Sequence, residues 1–474
     1  MSTESRRSRR AARARGRFAL SFAAVLGALA VVGGAAAGVS VAQGPRATEI
    51  QVDPAAATEE SGSRVIFTAN QSLSEIDPER VSVEPAVDFS VDAAGRMVGV
   101  RFPTALDAGT TYTVRVEGVT GAGGGPASDL ETTFTTPAAS FDALVRDDEG
   151  ADRIVRHTVG SDEPETVFEA EQIDDFRATS AFLVATVADG DEMRVVAIDR
   201  ATGDQAEIPL PDHGTVNGLQ VSERGQLFGF TFTDRELSET SGRVNVLFTG
   251  SLRDAFTDEG AALQSVEIGG EEPSVDRWRF VPETSSLLLN DFDGDLTLVD
   301  RESADGEVSS FGTALGIHGV ARSTYTALIE RAEEGFVELD LASGEQRVID
   351  DVDLGVETLL GQMIPLADGG TLRAYAEMVD GLPADTRIVA VGADGSVREV
   401  ATVPSGDGLM QVCASPSAQY AAVAVASDLV GNTYDRSTQP MPSDMETRVY
   451  EIDSGEEVLV AEGFDASWCE VGPW

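Results

Sequence analysis

The sequence predicts an all-β protein: an N-terminal transmembrane or signal helix, a short run of strands, then a longer array built from one repeated unit. Three observations predict it. Residues 18–42 hold no charged residue and follow a cluster of arginines. Residues 49–136 and 138–474 alternate β-branched or aromatic residues with polar ones over strand lengths, between turns rich in Gly and Asp. In the second stretch a strand–turn–strand unit recurs at a period of about 40–50 residues.

Arg6, Arg7, Arg9, Arg10, Arg13, Arg15 and Arg17 crowd residues 1–17, opposed only by Glu4. The apolar run that follows is long enough to cross a hydrocarbon layer of about 30 Å as a helix. Arginines just before such a helix stay on the cytoplasmic side, so the remaining chain is translocated. The expected topology is single-pass through residues 18–41, with the C-terminus outside. The alternative is secretion after cleavage near Ala42, since Ser40-Val41-Ala42 and Ala35-Ala36-Ala37 both offer small-x-small sites.

The formal charge is −47, and the chain contains no lysine. Seven of the 34 basic residues sit in residues 1–17, so the translocated part is more acidic still. Such a field repels nucleic acid and favours solubility and cations.

Within residues 43–137, Val65-Ile66-Phe67 with Leu73 precedes Leu106, Gly109, Thr110, Tyr112, Val114 and Val116, and Phe134-Thr135-Thr136 closes the stretch. This series resembles the SbsA-type bacterial Ig-like domain. The resemblance implies a β-sandwich that acts as a spacer or adhesion-type module rather than an enzyme. The family's D-x-x-G-N turn is replaced here by Gly121-Ala122-Gly123-Gly124-Gly125-Pro126.

Residues 138–474 carry the repeat. Val195-Val196-Ala197-Ile198-Asp199 precedes Thr202-Gly203, Leu296-Thr297-Leu298-Val299-Asp300 precedes Asp305-Gly306, and Phe336-Val337-Glu338-Leu339-Asp340 precedes Ser343-Gly344. Hairpins fall near 141–168, 181–208, 226–268, 286–311, 325–349, 371–402 and 418–461. Seven such units predict a seven-bladed β-propeller. The stretches Val412-Cys413-Ala414-Ser415-Pro416 and Trp278-Arg279-Phe280-Val281-Pro282 read as inner strands, and the pattern resembles TolB-like and WD40-like propellers. The first hairpin has no inner strand before it, while Phe464 to Val471 is a spare strand. The C-terminal strand is therefore expected to complete the first blade, which removes exposed sheet edges. Cys413 and Cys469 then lie on neighbouring inner strands of the last and first blades, and a disulfide between them is expected.

Candidate chemistry is sparse. His213 and His318 fall where inner strands begin, and such starts gather around one mouth of the central channel. Asp175, Asp276, Glu357, Asp407 and Asp465 occupy similar places in a loose alignment. The expectation is an acidic mouth, suited by its charge to a metal ion or a cationic ligand, that binds through His213, Asp276, His318 and Asp465. His157 is expected on an outer, solvent-facing strand. Asn290-Asp291-Phe292-Asp293-Gly294-Asp295 resembles a calcium loop, but the strands on either side make Asp293-Gly294 a hairpin turn. No G-x-S-x-G elbow, P-loop, H-E-x-x-H or C-x-x-C is present. No cofactor and no metal ligand set is therefore expected. The reading is a non-enzymatic surface protein whose propeller binds a protein or glycan ligand of the cell envelope. The alternative is an extracellular propeller hydrolase acting on a carbohydrate or lactone, which needs only two carboxylates.

Overall fold

A computed structural model describes residues 44–473, apart from 148–149, 191, 239–240, 302–306, 323 and 436. The expected membrane or signal helix at 18–42 lies outside the described residues. Among those described, no helix is long and apolar enough to cross a membrane. The described chain forms two compact units.

The first unit holds residues up to Asp53, Arg64–Phe102 and Thr111–Thr135. It has one sheet in the order Ala47–Gln51, Arg64–Ala69, Met97–Arg101, Ser90–Ala94, and a second of Val81–Glu84, Thr111–Val119, Ser128–Thr135. The alternation read in the sequence is the burial pattern. Tyr112, Val114 and Val116 are fully buried while Thr111 and Arg115 face out. Tyr112 stacks on Phe134, ring centroids 5.8 Å apart.

The second unit takes in Pro54–Ser63, Pro103–Thr110 and Thr136–Trp474. Among the described residues it consists of seven antiparallel sheets in strict chain order. Six have four strands, beginning with the inner strands Ile173–Ala178, Gly214–Ser222, Val275–Phe280, Gly316–Val320, Thr358–Pro365 and Gly408–Ala414. Each inner strand adjoins that of the next sheet. This is the arrangement of a β-propeller, with the predicted hairpins forming the outer three strands of every blade. Apolar faces of neighbouring blades fuse into the core. Phe228, Phe230 and Phe232 of blade three pack with Val184, Val195 and Ala197 of blade two.

The first sheet has three strands, Ser140–Val145, Asp152–Thr158 and Glu165–Ala170. Its fourth position is taken by the chain's end, where Leu144 and Phe464 exchange main-chain bonds of 2.8 and 3.0 Å. The expected strand over 464–471 is shorter than anticipated. Asp465 adopts φ of +56°, a left-handed conformation that turns the chain out of the ladder. Beyond that turn, Ser467 N donates to Asp142 O at 2.8 Å and Asp142 N donates to Ser467 Oγ at 3.0 Å. Cys413 and Cys469 form the expected disulfide, their Cα atoms 5.2 Å apart. It fastens the last inner strand to the chain that completes the first blade.

Two local expectations resolve differently. Asp293-Gly294 is a turn as expected: Asp291 Oδ1 accepts from Asp293 N and Asp295 N at 3.0 and 2.8 Å, and Gly294 has φ of +86°. His157, by contrast, is not a solvent-facing residue. It is buried, stacks on Phe141 at 5.6 Å and hydrogen-bonds the backbone of Glu462 on the outer strand of the last blade.

Candidate binding site at the ring axis

The inner strands share a feature that periodicity does not announce. In all six, the pairing with the next strand slips by one residue early in the strand. The extra residues are Asp174, Asp276, His318 and Met410 in blades two, four, five and seven, with Gly218 and Gly361 at the corresponding steps of blades three and six. A bulge bends the strand and re-aims one side chain. Gly218 is needed at its step. Its φ is +58°, and its carbonyl accepts from Trp278 Nε1 at 3.1 Å.

Two of the four candidate residues, Asp276 and His318, thus occupy equivalent bulge positions of adjacent blades. His318 Nε2 lies 3.2 Å from Glu330 Oε2, and its ring meets Phe336 edge-on at 4.8 Å. Burial pulls its pKa down, against the pull of Glu330. Asp276 Oδ2 lies 3.6 Å from Arg277 Nε. His213 stands apart from them. It precedes its strand, its side chain is 76 % exposed, and its nearest charged partner is Glu192 at 3.9 Å. Asp465 is buried, 2.8 Å from Arg177 Nη1. Asp175, Glu357 and Asp407 do not fall on the bulge step.

Between the inner strands of blades four to seven and the C-terminal tail lies a cavity of about 320 Å³. Its polar lining includes Arg277, Arg279, His318, Arg322, Gln362 and Glu470. This cavity presents three guanidinium groups, one imidazole and one carboxylate, and of the four candidate residues only His318 lines it. Arg279 is the most deeply set. Nη1 donates to Trp278 O at 2.8 Å and Nη2 to Ile317 O at 3.2 Å, while Nε points toward Glu470 Oε2 at 3.7 Å. Burial lowers its pKa to about 10. Glu470 opposes that shift, and repulsion from Arg277 and Arg177 adds to it. Burial also raises the Glu470 carboxyl, against the attraction of Arg279 and Arg322.

Beside the cavity the tail is anchored by a second charged group. Arg177 bridges Asp175 at 3.1 Å and Asp465 at 2.8 Å, and Gln411 Nε2 donates to Val471 O at 2.7 Å. Two carboxylates share one buried guanidinium. The Asp175 carboxyl is pushed up to about 7, chiefly by burial and further by Asp465, with Arg177 opposing.

The sequence reading missed the arginines. A usable signal was present: Arg177 and Arg279 each stand three residues beyond an acidic bulge residue, Asp174 and Asp276, and each follows a large aromatic residue on its inner strand. Among the described residues, no group of three or more His, Cys, Asp or Glu side chains is placed to hold a metal ion.

No family model matches the chain, and no curated protein matches it. Several solved structures are similar to it at low identity. An oligogalacturonate lyase in complex with manganese is 9% identical, with 83% of this chain and 98% of that one covered and a TM-score of 0.44. The Cps50 (Swd1) β-propeller domain of Myceliophteria thermophila is 14% identical over 61% of this chain and 86% of that one, with a TM-score of 0.38. TolB from Acinetobacter baumannii is 10% identical over 81% and 82%, with a TM-score of 0.35. At such identities and scores these likenesses assign no activity, substrate or partner to this chain.

Proposed function

We propose that this is a cell-surface binding protein. Residues 18–41 hold it in the membrane with the C-terminus outside, residues 43–137 act as an Ig-like spacer, and the propeller binds a protein or glycan ligand of the cell envelope. The observation that carries the binding role is the axial cavity, at the lower end of the roughly 300–1,000 Å³ over which ligand pockets fall. Several of its charged side chains converge on one space from separate blades, the arrangement expected of a site that fixes a ligand's orientation. The spacer reading is supported by the seven strands of the first unit, in sheets of four and three, and by the buried Tyr112, Val114 and Val116 of the Thr-x-Tyr-x-Val-x-Val stretch.

The rival reading, a two-carboxylate hydrolase, needs a carboxylate pair about 5–10 Å apart. The described cavity lining has a single acidic residue, Glu470. The test is retention against turnover: immobilised full-length protein is exposed to envelope extract, and separately to glycosides and lactones. Retention without turnover is the expected result. Turnover abolished by Glu470→Gln would replace this reading with the rival.

A further inference from the structure

We infer that the axial cavity takes a small organic carboxylate with an apolar body, held by Arg277 and Arg279. The inference rests on the reading that this cavity is a binding site, and it concerns the sign and shape of what enters. Three observations carry it.

The first is charge. The described lining holds Arg277, Arg279 and Arg322 against the single carboxylate of Glu470. Arg277 also pairs with Asp276 at 3.6 Å, so this excess of guanidinium groups in the lining has an acidic neighbour outside it. The second is an unsatisfied donor. A guanidinium has five N–H groups in a fixed fork. The Arg279 side chain is 4 % exposed, and its Nε has no hydrogen-bond partner, since Glu470 Oε2 at 3.7 Å is beyond bonding distance. A ligand oxygen that reached this nitrogen in place of the Glu470 carboxylate would supply the missing bond. Arg277 belongs to the same end of the cavity. Its Nη1 lies against Gly316, where a methyl group would approach it to 3.0 Å, and Arg279 bonds the carbonyl of the next residue, Ile317. The third is shape. Most of the remaining wall is apolar, with Ile317, Val320, Met363, Ile364, Pro365 and Val412, beside the polar Gln362, Gln411 and Ser415. Such a wall suits a hydrocarbon or aromatic body.

Glu470 is then an internal competitor. Its carboxylate, on the C-terminal tail, sits where it draws on the charge of Arg279 and Arg322. Removing its charge should strengthen binding of an anion and weaken binding of a cation, and this difference in sign makes the test decisive. Titration calorimetry on the full-length protein would compare 3-phenylpropionate, its neutral amide and 3-phenylpropylamine, which share one body and differ in charge. The expected result is binding of the acid, with the amide weaker by about tenfold, the scale of one charge-assisted hydrogen bond. Glu470→Gln should tighten the acid severalfold, and Arg277→Gln should weaken it. Arg277, partly exposed, serves as the second variant because Arg279 also supports the backbone. Equal affinity for acid and amide, preference for the amine, or weaker acid binding in Glu470→Gln would each overturn the carboxylate assignment. So would no binding of any of the three. Retention of envelope material by the unmodified protein would still be read independently, which separates failure of this inference from failure of the binding role.

Discussion

Arg146 Nη1 lies 2.9 Å from Asp435 Oδ2, with both side chains buried, and so joins the first blade to the long loop of the last. The same guanidinium donates to Gln439 O at 3.0 Å, to Asp174 O at 2.9 Å and to Ile173 O at 3.3 Å, and it lies over the Phe464 ring at 5.2 Å. One side chain thus touches the first, second and last blades and the closing segment. Arg146→Ala would leave Asp435 buried without its counter-charge, a loss of about 3–5 kcal/mol. Urea unfolding should show it. A double variant that also carries Asp435→Asn should recover part of the loss, and purely additive effects would mean that the two groups are not coupled.

The Cys413–Cys469 bridge encloses a separation of 56 residues. A loop of that size stabilises by about 4 kcal/mol in the chain-entropy model. Alkylation of unreduced, denatured protein should find no free thiol, and Cys413→Ala with Cys469→Ala should lower the unfolding midpoint without changing the strand content. Two free thiols in exported protein would remove the bridge from this account.

Deletion of residues 463–474 would take away the bridge to Leu144, the Ser467 bonds to Asp142 and Cys469 together. The strand Ser140–Val145 would become an unpaired edge, and exposed edges invite association with other chains. Light scattering should show a truncated protein that aggregates on mild warming while the full chain remains dispersed. A truncation as well behaved as its parent would show that the ring does not depend on its C-terminal closure.

The Asp175 carboxyl, raised to about 7 beside Arg177 and Asp465, makes stability depend on pH. The ordinary value of an unfolded aspartate is about 3.9. Between these values the folded state binds the extra proton, so the contribution of this group is most favourable below about 4 and is lost as pH rises through about 7. In Asp175→Asn that part of the dependence should disappear. Denaturant midpoints compared across this range check it, and an identical slope in the variant would assign the dependence elsewhere.

Closure of the first blade also brings a charge inside. Asp142 is fully buried, with Arg156 Nε at 3.1 Å and Arg200 Nη2 at 2.9 Å from its two oxygens. Asp142→Ala should destabilise by about 3–5 kcal/mol, since two guanidiniums would lose their shared anion. Thermal unfolding of Asp142→Ala beside Arg156→Ala would show whether the aspartate is the larger loss, as the geometry requires.

The sequence by itself determined the strand inventory. All seven predicted hairpins are present, because a half-buried strand writes its alternation into neighbouring residues and a turn needs its glycine locally. Val195 to Asp199 and Phe336 to Asp340 are legible for that reason. The Cys413–Cys469 pairing was also within reach, since counting blades implied that the last and first adjoin. Tertiary structure alone decided the site. Arg177 meets Asp465 across 288 residues, and Arg146 meets Asp435 across 289. No local period relates such positions. Their partnership exists only once seven sheets close into a ring and bring the inner strands to one axis. The bulges at Asp174, Asp276 and His318 then choose which side chains face the channel, and that choice is made by pairing register between strands, which composition does not encode.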